Sequence, residues 1–198
     1  MKVLRFAVLG LAALFVAACL PVTTKNPVGT TVGFKHDPSI VGVWTVEPQK
    51  DNPDDKQGFL AFLNAEEDGA MTAIMVAPGK DAGDWSSYNL KLATLGQNHF
   101  MNVWTLTNNG KPADKDEAEA DILLMYRLGK DGKLMLYMLD DEKTAVAVKA
   151  GKIGGEVQPG STGDVRLTAD EKSLDQFFAT KEGAALFVKP FAVMDRVK

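Results

Sequence analysis

Thiols are all but missing: the 198 residues hold one cysteine, Cys19. The rest of such a chain forms no internal disulfide and no thiolate metal site, and the scarcity suits an oxidising compartment. Histidine is scarce as well. His36 and His99 are the two, and they are not paired at helical spacing, so a zinc site of three or four converging ligands has little to draw on. No G-x-G-x-x-G, P-loop or G-x-S-x-G occurs; Gly160-Ser161-Thr162-Gly163 follows Pro159 and reads as a loop rather than a nucleophile turn. Only His99 would be a strand-borne base for a Ser or Thr nucleophile. No catalytic residue, metal ligand or cofactor is assigned. Positive charge is in deficit, with 22 Lys and Arg against 26 Asp and Glu, and phosphate binding needs clustered cations, so nucleic acid is excluded as a partner. No repeat of 20–50 residues is present. Long apolar runs are missing too: Phe6 to Ala18 is uncharged, but as a helix it would reach about 20 Å, short of a hydrocarbon core of roughly 30 Å.

What the chain does have is apolar mass, 45% of its residues with ten Phe and three Trp, which marks a folded protein. Lys2 and Arg5 precede the apolar stretch, the layout of a removable secretory signal over residues 1–18. The stretch ends in Val16-Ala17-Ala18-Cys19, which resembles the lipobox of bacterial lipoprotein signal peptides. The resemblance implies that the Cys19 thiol takes a diacylglyceryl group, that the chain is cut before it and that the new amine can be acylated. Two or three acyl chains, at about 0.8 kcal/mol per buried CH₂, give a stable anchor. Leu20 stands where an Asp would retain such a protein at the inner membrane, so the resemblance points to the outer membrane, facing the periplasm. The alternative is a signal cut elsewhere with an ordinary Cys inside it. Residues 19–38, rich in Pro, Gly and Thr and without a period, are expected to form a lipidated flexible tether with an r.m.s. span of roughly 24 Å. Residues 39–198 remain as one globular β-rich domain.

Strands dominate that domain. Ile40–Val46, Phe59–Leu63 and Met71–Ala77 are short apolar runs. In Ser87–Leu95, Tyr88, Leu90 and Leu92 alternate with Asn89 and Lys91, and Phe100, Asn102, Trp104 and Leu106 continue that period after a turn at Gly96-Gln97-Asn98. A second turn is expected at Asn109-Gly110. Asp121–Leu128 and Lys133–Leu139 form a hairpin around Gly129-Lys130-Asp131-Gly132. Both arms are apolar on both faces, which predicts central strands covered on each side. Residues 141–150 fit a helix capped by Asp140, although Thr144–Val148 also alternates like a strand. Thr168-Ala169-Asp170-Glu171 fits a capping box ahead of a helix with Leu174, Phe177 and Phe178 on one stripe, and Phe191–Val197 is a last strand. The expected fold is mainly β, α+β at the margin: an antiparallel meandering barrel or strongly curved sheet with two short helices in the later half.

Gly42-Val43-Trp44 at the first strand and Arg196 in the last resemble the lipocalin and wider calycin pattern, in which G-x-W opens strand one and an Arg packs over the indole. The resemblance implies structural roles for Trp44 and Arg196, and a guanidinium over a Trp face contributes about 0.5–2 kcal/mol. The chain departs from lipocalins in lacking a disulfide and a mid-chain T-D-Y, and in placing helices between its last strands. It is also similar to small bacterial envelope lipoproteins with a lipocalin-like domain.

Two acidic runs, Asp51-Asn52-Pro53-Asp54-Asp55 and Asp114 to Glu119, lack the alternation around a glycine that a calcium loop needs and read as solvated loops. Three classes of function follow. The first is a non-catalytic envelope lipoprotein whose barrel binds an apolar or lipid-like ligand, with Tyr88, Phe100, Trp104, Tyr126 and Tyr137 as candidate contacts and Leu90, Met125 and Met135 beside them. The second is a structural or assembly factor that docks an envelope protein through an exposed apolar patch. The third is a hydrolase, which requires His99 and two or more acids in one pocket.

Overall fold

Alternating burial organises the longest strand: between Asp84 and Leu95, Tyr88, Leu90 and Leu92 enter one buried cluster while Ser87, Asn89 and Lys91 lie on the opposite face. The computed structural model describes residues 22–46, 58–64, 69–77, 84–114, 121–158 and 164–198. The signal over 1–18, Cys19, Leu20, the 51–55 run, most of the 114–119 run and the 160–163 stretch lie outside the described residues. In chain order the strands are β1 (Thr23–Thr24), β2 (Gly42–Val46), β3 (Phe59–Phe62), β4 (Met71–Ala77), β5 (Asp84–Leu95), β6 (Asn98–Asn108), β7 (Lys111–Pro112), β8 (Asp121–Leu128), β9 (Leu134–Met138), β10 (Gly155–Val157), β11 (Val165–Leu167) and β12 (Pro190–Arg196). The helices α1 (Asp141–Lys149), α2 (Glu171–Phe178) and α3 (Lys181–Ala184) fall between β9 and β12.

Eight of these strands close an antiparallel barrel. β2 to β6 form a meander, β6 pairs with β8, β8 with β9, β9 with β12, and β12 returns to β2. Neighbouring strands run in opposite directions, so the connections 47–58, 78–83 and 109–120 leave from one end, called upper below. The short turns at 96–97 and 129–133 lie at the lower end. Asn109, in the left-handed region at φ 49°, and Gly110 make the two-residue turn into β7, as Asn-Gly favours.

Two cores result. Inside the barrel, Trp44, Met71, Leu90, Met101, Leu124 and Leu136 belong to one buried cluster. Outside it, Phe100, Leu123, Met125 and Tyr137 of β6, β8 and β9 are covered by Leu174, Phe177 and Phe178 of α2 and by Leu186 and Phe187. β8 and β9 are thus apolar on both faces because each face has its own cover. Ring contacts of 5.3 to 5.9 Å link Phe100, Phe177, Phe178 and Phe187.

Residues 141–149 are helix, and Asp140 accepts from Lys143 N at 2.9 Å. The second helix starts later than the capping box implied: Asp170, not Thr168, is the cap, accepting from Ser173 N at 2.8 Å. β1, β7, β10, β11 and α3 have no counterpart in the sequence reading, being too short to show a period.

The larger correction concerns the tether. From Val22 onward it is packed rather than free: Val22 and Val28 are buried, and β1 pairs antiparallel with Asp121–Ile122 and parallel with Arg166–Leu167. Asn102, fully buried on β6, accepts from Val28 N at 2.7 Å and donates to Val28 O at 2.8 Å and Lys91 O at 3.1 Å. Asp175 of α2 accepts from Gly29 N, from Thr31 N at 2.9 Å and from the Thr31 hydroxyl. At Gly29 (φ 102°) a Cβ would fall 2.0 Å from Ala93 Cβ, so only glycine lets the chain lie this close to β5. Polar side chains on distant elements hold the segment, which is why its own composition did not reveal the packing.

The lower end of the barrel is sealed. Trp44 is fully buried and donates from Nε1 to Ile40 O at 2.8 Å. Arg196 Cζ lies 4.4 Å from its ring centroid, and the guanidinium donates to Val41 O at 2.6 Å and to Ser39 O. Gly42 sits at φ 133°, and a Cβ there would approach Arg196 Nη1 to 2.8 Å, so the glycine two residues before the tryptophan leaves room for the guanidinium.

Candidate functional site

Above that seal the lumen is not completely filled. A half-open void of about 70 Å³ is bounded by side chains from all eight barrel strands, among them Phe62, Ala73, Met75, Tyr88, Leu90 and Met101. Val46, Val103, Leu124, Leu136 and Phe191 complete much of the wall. The described lining holds no charged residue, so the space can offer an occupant only dispersion contacts and exclusion from water. The volume is far below the roughly 300 Å³ at which pockets for whole small molecules begin, and about half of an engineered void that holds benzene. The site therefore has room for the end of an alkyl chain entering from the open side, not for a complete lipid-like ligand.

Of the five aromatic candidates, only Tyr88 lines this void. Tyr126 faces the same interior but sits below it, donating to Asp37 Oδ2 at 2.9 Å as part of the lower closure. Burial first, then the Asp37 charge and hydrogen bond, push the Tyr126 phenol up from its ordinary value. Partial burial raises Asp37, but bonds from the Ser39 hydroxyl and amide and from Tyr126, with His99 nearby, outweigh that and leave it lowered. Phe100 and Tyr137 face outward into the second core, and Arg127 lies 5.4 Å from the Tyr137 ring. Trp104 is half-buried on the outer face of β6, two residues from Asn102. Met125 also belongs to the outer core, and Met135 packs against it, whereas Leu90 lines the void. Residues were selected by type, and type does not report which face of a doubly covered strand looks inward; Met101 and Val103, adjacent in sequence to the outward-facing Phe100, Asn102 and Trp104, were the lumen residues.

Among the described residues, His99 meets one acid, Asp37, where a hydrolase requires two or more. Its ring lies 5.3 Å from that of Tyr126, tilted by 38°, and its Nδ1 lies 3.1 Å from the Thr94 hydroxyl. Among the described residues, no group of three or more His, Cys, Asp or Glu could hold a metal ion.

One buried acid is linked to pH. Asp121 begins β8 at 5% exposure, opposite Thr24, whose hydroxyl is buried with no hydrogen-bond partner among the described residues. Burial pushes the Asp121 carboxyl up to about 7 against the opposing pull of Arg166. The unfolded chain loses this proton near 3.8, so between there and about 7 the folded state holds a proton that the unfolded state has released. Stability falls as pH rises through that window and levels off above it. Asp121→Asn removes the charge and should raise stability at pH 8 by about 1–2 kcal/mol while leaving the pH 4 value nearly unchanged. Urea midpoints of both proteins at the two pH values measure this.

No family model matches this chain, and no curated protein or solved structure matches it either.

Proposed function

We propose that the protein is a non-catalytic envelope lipoprotein, anchored through Cys19 at the periplasmic face of the outer membrane, whose barrel shelters the end of one acyl chain. The observation that carries the reading is the uncharged void in the upper lumen, walled by all eight strands and sealed below by Trp44 and Arg196. Kinship with lipocalins is supported by the same closure: Gly42, Trp44 and Arg196 meet over a closed eight-stranded meander. The docking alternative has its own support in Phe59, Val76 and Trp85, exposed and directly paired across β3, β4 and β5.

Ala73→Val tests the void. Two added methyl groups project into the space, so the variant should gain roughly 1 kcal/mol of stability and lose binding of a fluorescent fatty acid. Unchanged titration of that probe by a folded variant would sink the reading. The anchor is tested separately: Cys19→Ser should accumulate as precursor and incorporate no palmitate.

A further inference from the structure

We propose that residues 22–26 form a pH-gated strap: a proton on Asp121 keeps the strap docked along β8, and loss of that proton lets it lift away while the barrel stays closed. The first observation is where the groups lie. Asp121 shares the outer face of β8 with Leu123 and Met125, and Thr24 of β1 stands directly opposite it. Leu167 of β11 flanks Thr24 on its other side, and both are fully buried. The Asp121 carboxyl is therefore enclosed, and among the described residues no hydrogen bond meets it. Few charges surround it. Arg166 of β11 is the one that acts on it, from the neighbouring row and opposite Glu156 of β10. On the strap Lys25 is exposed, as is Asp170, which follows the Ala169 carbonyl that Asn26 bonds at 2.9 Å. On β6 the adjoining Val103 and Trp104 carry no charge.

The second observation is that this segment docks with polar groups unmet. Among the described residues two buried side-chain atoms lack a hydrogen-bond partner, the Thr24 and Thr30 hydroxyls, and both lie within residues 22–31. Each has lost water without gaining a partner. What holds the strap is slight by comparison: two paired residues on either side, the bond from Lys25 N to Leu167 O at 2.8 Å, and the Asn26 side chain. The Asn102 clamp on Val28 then marks where lifting stops. Ionised, Asp121 needs the water that the docked strap keeps from it, and lifting residues 22–26 admits that water. Burial holds the carboxyl at about 7 against an ordinary 3.8, so across that window the docked state keeps a proton that the lifted state releases. Docking is strongest below the window, weakens by up to about tenfold per pH unit within it, and is constant above it.

The test is hydrogen–deuterium exchange of the whole protein at pH 4 and pH 8, read by mass spectrometry and corrected for the intrinsic pH dependence of exchange. Protection of residues 22–26 should fall at least about tenfold from pH 4 to pH 8 and should lie below that of β4 to β6 at both. Asp121→Asn carries no charge at either pH and should keep at pH 8 nearly the protection it has at pH 4. Thr24→Val replaces the unmet hydroxyl with a methyl group, so it should raise protection about tenfold at both pH values and leave the pH step in place. A pH step that persists in Asp121→Asn overturns the strap's dependence on this proton. Residues 22–26 exchanging in step with the barrel strands also overturn the proposal, because the acid then acts on the whole fold. So does weaker docking in Thr24→Val, which would give the hydroxyl a partner.

Discussion

Asn102→Ala should cost about 3 kcal/mol, because it leaves the buried Val28 N–H and C=O and the Lys91 carbonyl without the partner that now meets them. The loss should be local before it is global. Amide exchange should quicken across residues 22–35 while the barrel strands keep their protection, since the segment is held by this clamp, by Asp175 and by two paired residues of β1. Once released, the segment becomes the slack tether of roughly 24 Å that its composition alone suggests. An Asn102→Ala protein with wild-type exchange over residues 22–35 would show that the clamp does not hold the segment.

Trp44→Ala should be the most damaging single change, at about 3–5 kcal/mol, because it empties the sealed end of the barrel. The indole is fully buried, and its removal also frees the Ile40 carbonyl and the guanidinium above. Arg196→Met should cost only about 1 kcal/mol: the stem can still cover the indole, and the carbonyls of Ser39 and Val41 lie where water can replace the guanidinium. Chemical denaturation followed by circular dichroism ranks the two. If Arg196→Met proved as harmful as Trp44→Ala, the guanidinium rather than the indole would be the main element of the seal.

Much of the barrel was legible because its signals are local. Gly129 to Gly132 and Asn109-Gly110 announce their turns, β4 matches its apolar run from Met71 to Ala77, and the two-sided apolar pattern of β8 and β9 required a cover on each face, which α2 and the inner core supply. The packed segment at 22–38 was not legible. Its contacts are made by Asn102 and Asp175, more than seventy residues away, and a stretch rich in Pro, Gly and Thr looks the same whether it is loose or clamped. The lumen was half legible. Period two separates Met101 and Val103 from Phe100 and Asn102, but with apolar residues on both faces it does not say which set looks inward. The small void depends on how far those side chains fill the barrel, a quantity that no pattern of residue types contains.

The closing strand has a kinetic consequence. β12 pairs on one side with β9 and on the other with β2, about 150 positions earlier. Until residues 190–196 are in place, the cylinder is an open sheet with two bare edges, each able to recruit a foreign strand. Such long-range closure makes folding slow. A newly made chain would therefore spend its most vulnerable interval after synthesis is nearly complete, and that is when a chaperone able to cover bare strand edges would have the most effect on its yield.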